Sequence, residues 1–194
     1  MPSYDLLTIG HSNLSAERFM ALLASAGVTA IADVRSVPFS RWCPWFSGKA
    51  LAERLAGGRI AYLALGEALG GRPRDSTLYR EGIADYEAMA ARPEFAAGLA
   101  RVMDAAARQR VCLLCAEREP LDCHRCLLVG RALCERGMTL GHIRPDGSIE
   151  SQAALEERLL VLAGGEADLF RGRADRLAHA YRCRAQAVAA RLKT

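Results

Sequence analysis

The stretch "RVCLLCAEREPLDCHRCLLVGRALCERGMTLGHI" (residues 110–143) decides the fold. It begins with a strand-length apolar run, "RVCLLC" (110–115), and crosses a polar loop. It then takes helical spacing in "DCHRCLLVGRALCERG" (122–137), with Asp122 placed as N-cap and Gly137 as stop. A second apolar run, "MTLGHI" (138–143), closes it, followed by the turn "RPDGS".

The same alternation runs upstream. "YDLLTIG" (4–10) is a strand, and "SAERFMALLASAG" (15–27) is a helix capped by Ser15 and stopped by Gly27, with Phe19, Leu22, Leu23 and Ala26 on one face. "VTAIADVRSVP" (28–38) and "RIAYLALG" (59–66) are further strands around the helix "SGKALAERLAGG" (47–58), and "FAAGLARVMDAAARQ" (95–109) is helical again. Five strands separated by helices predict an α/β fold: a mostly parallel five-stranded sheet with helices on both faces. From about 151 onward only helix is expected, broken at the glycine pair 164–165. The predicted organisation is an α/β domain over 1–150 with a C-terminal helical extension over 151–194 packed on it.

Bulk properties agree with this. A chain of 194 residues, 51% hydrophobic and 25% charged, suits one domain with a sizeable core. Its net charge of +4 permits anionic ligands but is far from that of a nucleic-acid coat. Seven cysteines, an odd number lying largely in apolar runs, argue against a disulfide scaffold and for reduced thiols. No apolar stretch approaches the length of a membrane span, and the first residues do not read as a secretory leader. A cytoplasmic setting without membrane contact is therefore expected.

In sheets of this kind ligands bind where the strands end and loops enter helices. Strand ends deliver His11 and Asn13, then Asp33, Arg35, Ser40 and Arg41, then Cys115 and Glu117, and finally His142, while the helix after the loop opens with Cys123, His124 and Arg125. Singly, each has a structural explanation; gathered from separate segments at one rim, they predict a site.

The spacing Cys112-x2-Cys115-x7-Cys123-x2-Cys126 suggests zinc knuckles, but residues three apart on a strand point to opposite faces, so Cys112 and Cys115 cannot serve one ion. A subset such as Cys115, Cys123 and His124 can still converge in the loop. The reading adopted is that neither a metal nor a cofactor takes part. Cys115, at a strand end facing helix N-termini, is the candidate nucleophile or else a wall of the site, Glu117 and His11 are candidate proton carriers beside His124, and Arg35, Arg41 and Arg125 are candidate anion clamps. "GEALGGRP" lacks the glycine spacing of a dinucleotide loop and the Lys-Ser/Thr of a P-loop, although Arg72 and Arg74 can reach phosphates.

"TIGHSN", "DVRSVPFSR", "ALGEALGGRP", "CAEREPLDCHR" and "GHI", in that order over roughly residues 5–147, resemble the motifs of the bacterial and archaeal family called domain of unknown function 488. The resemblance implies a compact α/β domain. It marks His11, Asp33, Arg35, Ser40, Arg41, Gly66, Gly70, Gly71, Cys115, Glu117, Cys123, His124, Arg125 and His142 as matching positions, and it implies no particular reaction. "IADVRS" and "GHI" also look like rhodanese-type sulfurtransferases, but Arg125 lies ten residues beyond Cys115 with Pro120 between, and the pieces come in another order.

The expectation is thus an enzyme, a hydrolase or transferase, acting on an anionic substrate that is phosphate-bearing, a nucleotide or related to nucleic acid. Alternatives are a nucleic-acid binding module without chemistry and a rhodanese-like thiol enzyme. A homodimer is compatible with all three. The tail 171–194 carries seven Lys or Arg against one Asp, and Leu177, Ala180, Tyr181, Ala185, Val188 and Leu192 form an apolar stripe, so a docking helix is favoured over a nucleic-acid arm.

Overall fold

A computed structural model describes residues 3–164 and 172–191 of the chain. Five strands lie where the apolar runs predict them: β1 (Leu6–Gly10), β2 (Ala30–Asp33), β3 (Ala61–Ala64), β6 (Val111–Cys115) and β7 (Leu140–Ile143). Between the third and fourth of these stands a two-stranded hairpin, β4 (Tyr79–Arg80) with β5 (Ile83–Ala84). Its turn places Glu81 and Gly82 at positive φ (53° and 78°), the geometry of a tight two-residue hairpin loop. Two residues per strand leave no periodicity to read, which is why the sequence gives no sign of it.

The main sheet has six strands rather than five, in the order β3-β2-β6-β1-β7-β8. The addition, β8 (Ile149–Ser151), follows the "RPDGS" turn and pairs antiparallel with β7, whereas the other neighbours are parallel. Three residues running straight into a helix conceal an edge strand in an all-helix pattern.

Period-two alternation splits the core into two layers. Leu7, Ile9, Ile31, Cys112 and Leu114 point to one face. There they meet α1 (Ala16–Ser25) through Phe19, Leu22 and Leu23, and α2 (Gly48–Gly57) through Leu51 and Leu55. Ser15 caps α1 by accepting from the Arg18 amide, and Gly27 at φ 67° ends it.

The other face, with Ala30, Ala32, Val111, Leu113 and Cys115, is covered by several helices. These are α3 (Gly66–Leu69), α4 (Tyr86–Ala90), α5 (Pro93–Ala106), α6 (Arg131–Cys134), α7 (Gln152–Leu162) and α8 (Arg173–Arg191). Cys112 and Cys115 therefore do lie on opposite faces.

The segment after β6 departs from the expected single helix. Pro120–Asp122 forms a 3-10 turn capped by the Glu119 carboxylate, Cys123 is extended, and the helix begins at Arg125 as a π-helical stretch, Arg125–Gly130, before α6. Asp122 is not an N-cap: its carboxylate pairs with Arg184 and Arg191 of α8. The extra residue of a π turn is uncommon outside functional regions, and here it follows directly on Cys123 and His124. Gly137, at φ 86°, ends the element as predicted.

α8 buries Ala180, Tyr181, Val188 and Ala189 in the same layer as the sheet. Gly165 and Leu192, part of the predicted breaker and stripe, lie outside the described residues.

Candidate functional site

The inner strands end level with one another: Gly10 pairs with Cys115 and Asp33 with Leu114. β2 and β1 stand on either side of β6, and the crossovers of β1 and β6 leave on opposite faces, so a crevice opens beyond their carboxyl ends. It is a cleft of about 340 Å³, and seven predicted residues line it together: His11, Arg35, Ser40, Gly71, Cys115, Glu117 and His124.

One wall is a sulfur, carboxylate and imidazole cluster. The Glu117 carboxyl oxygen Oε2 accepts from Cys115 Sγ at 2.9 Å and stands 3.1 Å from Cys123 Sγ, and His124 Nδ1 stands 3.6 Å from the first sulfur and 4.0 Å from the second. On its far side the imidazole donates Nε2–H to the Val34 carbonyl at 2.8 Å. That carbonyl can only accept, so the proton sits on Nε2 and Nδ1 is the nitrogen turned to the sulfurs.

The cluster is electrostatically divided. Burial first, then the hydrogen bond to Cys123 and that sulfur's charge, raise the Cys115 thiol. Burial acts on Cys123 as well, but the bond from Cys115, the Arg125 guanidinium and His124 hold it well below its ordinary value, so Cys123 carries the negative charge of the pair. Glu117 is raised, chiefly by burial and by the charge on Cys123. His124 is raised despite burial, through its hydrogen bond to Cys123 and that sulfur's charge. Cys115 is thus the protonated member, and Cys123, equally buried, takes over the thiolate character expected of it.

The opposite wall is a closed network. Arg35 gives Nε–H and an Nη2–H to the two Asp33 oxygens (2.8 and 2.5 Å), and Nη1 donates to the Phe46 carbonyl at 2.8 Å and to His11 Nε2 at 3.2 Å. Since a guanidinium only donates, His11 Nε2 accepts, and its proton lies on Nδ1 facing the Ser12 carbonyl at 2.9 Å. Burial is the main cause that lowers its pKa to about 4. Stacked on Phe46 at 4.3 Å, His11 is a neutral brace with its lone pair occupied, and Arg35 is the post it leans on. Tyr62 completes the network by donating to Asp33 at 2.8 Å. Neither Arg35 nor His11 is disposed as an anion clamp or proton carrier.

Several predicted residues stand away from the cleft. Arg125, 1% exposed, spends its guanidinium on the main-chain carbonyls of Glu117 and Arg118, bracing the loop rather than meeting a ligand. His142 is wholly buried between Thr8 Oγ1 (2.8 Å) and Gln152 Oε1 (2.9 Å), a core histidine with both nitrogens matched. Asn13 is exposed and accepts from Arg118 at 2.9 Å, and Arg41 lies over the Trp42 ring at 5.1 Å, out of the cleft. Ser40, by contrast, lines the cleft, and its Oγ accepts from the Cys43 amide at 3.0 Å and shapes the loop it belongs to.

The two glycines serve close packing: a Cβ on Gly71 would sit 2.7 Å from His124 Cγ, and one on Gly70 2.3 Å from the Gly66 carbonyl oxygen. Gly71 thereby lets the loop press on His124.

Residues without a singled-out role complete the cleft. Ser36, Val37 and Phe39 line it from the loop after β2, and exposed Arg72, whose amide donates to Ser36 Oγ at 2.9 Å, lines it from the glycine loop. Buried Tyr86 has a hydroxyl without a hydrogen-bond partner among the described residues, raised by burial and then by Cys123, Cys115 and Glu117. Nothing in "ADYEAMA" foretells this, because α4 comes near the cluster only through the fold. A larger cavity of about 630 Å³, between the β4–β5 hairpin, the π turn and α8, includes none of the predicted site residues.

No curated protein and no solved structure matches the chain. A family model described as "Domain of unknown function DUF488" matches residues 15–132, which include every residue lining the cleft except His11. With more than half of its length covered by that model, the chain belongs to the DUF488 family.

Proposed function

We propose that the protein is an enzyme acting on a phosphate-bearing ligand, a nucleotide or a nucleic-acid fragment, held in the 340 Å³ cleft. The observation that carries this reading is the pairing of Arg72 and Glu117 on one cavity. Arg72 is exposed and makes no side-chain ion pair among the described residues, so its guanidinium is available to a phosphate. Glu117 is half-buried, and burial and the charge on Cys123 raise its carboxyl, so it holds a proton more readily than a carboxyl in water. Arg35 and Arg125 hold the walls, and His11 keeps its face neutral.

Isothermal titration with a nucleoside monophosphate tests the binding part. Arg72→Ala should weaken it roughly 10- to 100-fold, the worth of a charge-assisted hydrogen bond. Glu117→Gln should bind as well as wild type and lose turnover; a variant that loses binding and keeps turnover contradicts the assignment.

A second reading, binding of nucleic acid without chemistry, draws on Phe39 and Trp42, 68% and 81% exposed beside the cleft, with Arg41 over the Trp42 ring. Aromatic faces next to arginines stack with unpaired bases. Salt-dependent binding of a short single strand, lost in Trp42→Ala and unaccompanied by turnover, would favour it. The rhodanese-like alternative has less support, because Cys115 is 2% exposed and donates to Glu117.

A further inference from the structure

We infer that Cys115, Glu117, Cys123 and His124 form a binding site for one zinc ion. Their four ligand atoms, two thiol sulfurs, a carboxylate oxygen and an imidazole nitrogen, all lie within 4.8 Å of one another. Of the four, Cys115, Cys123 and His124 are buried and Glu117 is half-buried. The elements that gather them are different: a strand end, the loop after it, and the entry to the π turn.

The separations suit the ion. With Zn–S of about 2.3 Å and Zn–N of about 2.05 Å, a tetrahedron has S···N edges of about 3.5 Å. The observed separations from His124 Nδ1 are 3.6 and 4.0 Å. The sulfur to carboxyl distances, 2.9 and 3.1 Å, are those of hydrogen bonds, so Glu117 would move outward by about half an ångström on binding.

The supporting contacts are those a metal histidine uses. A ligating imidazole commonly donates its other N–H to a carbonyl or carboxylate, which fixes tautomer and ring direction. His124 does so to Val34, and Gly71 presses on the ring from the other loop. The Arg125 amide donates to Cys123 Sγ at 3.4 Å.

Charge balances as well. Zinc displaces the Cys115 thiol proton, and any proton on Glu117, to solvent; two thiolates, a carboxylate and a dication leave one net negative charge, and the buried Arg125 guanidinium beside the cluster offsets it. Two sulfurs select zinc over magnesium or calcium, which take oxygen ligands. Cys115, Cys123 and His124 are the buried anchors, and Glu117 closes the shell from the cleft side, the position a substrate or water can contest.

This inference does not depend on the identity of the cleft's ligand, although it shares Glu117 with the proposed function: that carboxyl exchanges protons only while a substrate or water holds its place on the metal. The test uses the full chain, purified reduced, stripped with a chelator and titrated with zinc against a chromophoric competitor. One equivalent should bind, and Cys183→Ser, which removes an exposed cysteine 3.4 Å from His179 on α8, should leave it unchanged. Cys123→Ser should weaken it beyond the roughly 100-fold that loss of a merely supporting group can cause. Should that variant fail to fold, X-ray absorption of the zinc-loaded wild type decides. Two sulfurs at about 2.3 Å with two lighter ligands at about 2.0–2.1 Å are expected.

No stoichiometric zinc, a shell without sulfur, a Cys115–Cys123 disulfide in the reduced preparation, or loss of zinc in Cys183→Ser overturns the site. Zinc binding with no nucleotide binding would sink the cleft reading and leave the site standing. Nucleotide binding and turnover by zinc-free protein that takes up no zinc would do the reverse.

Discussion

His124 is tied to Val34 by a 2.8 Å hydrogen bond from its Nε2–H to a main-chain carbonyl just past the end of β2, so a residue of the β6 loop is aimed by the neighbouring strand. The imidazole cannot turn without leaving a buried carbonyl unpaired, a cost of about 1–3 kcal/mol. Its Nδ1 therefore faces Cys115 and Cys123 as a property of the fold, ahead of any ligand.

That orientation makes Gly71 a sensitive position. A methyl group there would lie 2.7 Å from His124 Cγ and 2.8 Å from its Cβ, so ring or loop must move. Gly71→Ala should lower stability by about 1–3 kcal/mol, as overpacking does, and shift the His124 ring resonances. Gly10→Ala should be far worse, because its Cβ would fall 1.8 Å from the main-chain oxygen of Glu117, and a carbonyl cannot yield as a side chain can. Thermal unfolding of the two variants provides the ranking, and equal melting temperatures would refute it.

Thiol labelling should follow burial. Reading Cys115 from its place at a strand end suggests that it alkylates faster than Cys112 and Cys134; in the folded protein it is 2% exposed and its thiol is raised. Cys183 is exposed and should react first, and half-buried Cys134, pushed up to about 12 by burial, should come next. Cys112, Cys115 and Cys126 should remain protected until the protein opens. Peptide mapping after timed exposure to iodoacetamide gives the order, and rapid modification of Cys115 would restore its candidacy as nucleophile.

The five longer strands were legible because each is an apolar run closed by glycine or by a polar turn, a local signal. β8 and the hairpin were not, since two or three residues carry no period. Within the site, Cys115, Glu117, Cys123 and His124 were legible as a group by their density in one loop, and so was the divergence of Cys112. The roles of the arginines were not. Whether a guanidinium meets solvent, as Arg72 does, or a main-chain carbonyl, as Arg125 does, depends on contacts made across the fold. His142 at a strand end looked like a site residue for the same reason, until Thr8 and Gln152 supplied partners for both nitrogens.

Two buried histidines make stability depend on pH in a stated direction. Burial lowers both His11 and His142 to about 4 from an ordinary 6.5, so the unfolded chain takes up protons that the native state refuses. Their contribution is complete above pH 6.5 and is lost as pH falls from 6.5 towards 4, by up to about 3 kcal/mol for each. His124, raised in the folded state, works oppositely: its smaller contribution is present at low pH and fades as pH rises through its folded value. Urea unfolding across pH 4.5–7 should show stability falling with acid, and His142→Gln should remove about half of the histidine-dependent slope. A variant with an unchanged slope would contradict the neutral, buried His142.

Asp33 and Arg35 should behave as one unit. Both are buried, joined by two hydrogen bonds, and the guanidinium also holds His11 and Phe46. Asp33→Asn leaves a buried cation with a neutral partner and should cost about 3–5 kcal/mol. Adding Arg35→Met should recover part of that, because the uncompensated charge disappears. A double variant as unstable as the sum of the singles would mean that the pair is not coupled.

The C-terminal helix should act as a docking element. Tyr181, buried at 3% exposure, accepts from Gln152 and donates to Glu156 of α7, and Ala180, Val188 and Ala189 are buried with it. Three of its five arginines are engaged as well: Arg184 binds the Leu121 carbonyl and the Asp122 carboxylate, Arg191 joins Asp122 at 3.0 Å, and Arg173 pairs with Glu157 at 2.8 Å. Asp122 lies one residue before Cys123, so α8 clamps the loop that carries the sulfur cluster. Arg184→Ala should therefore lower stability by about 1–3 kcal/mol, the penalty for unpairing partly buried polar groups, and loosen the Cys123 loop. Faster hydrogen exchange at residues 119–124 would report that loosening. Deleting residues 171–194 should expose the layer under Tyr181 and abolish cooperative unfolding. If instead the truncated chain melts as wild type and loses a steep salt dependence of oligonucleotide binding, α8 is a nucleic-acid arm and the docking account is wrong.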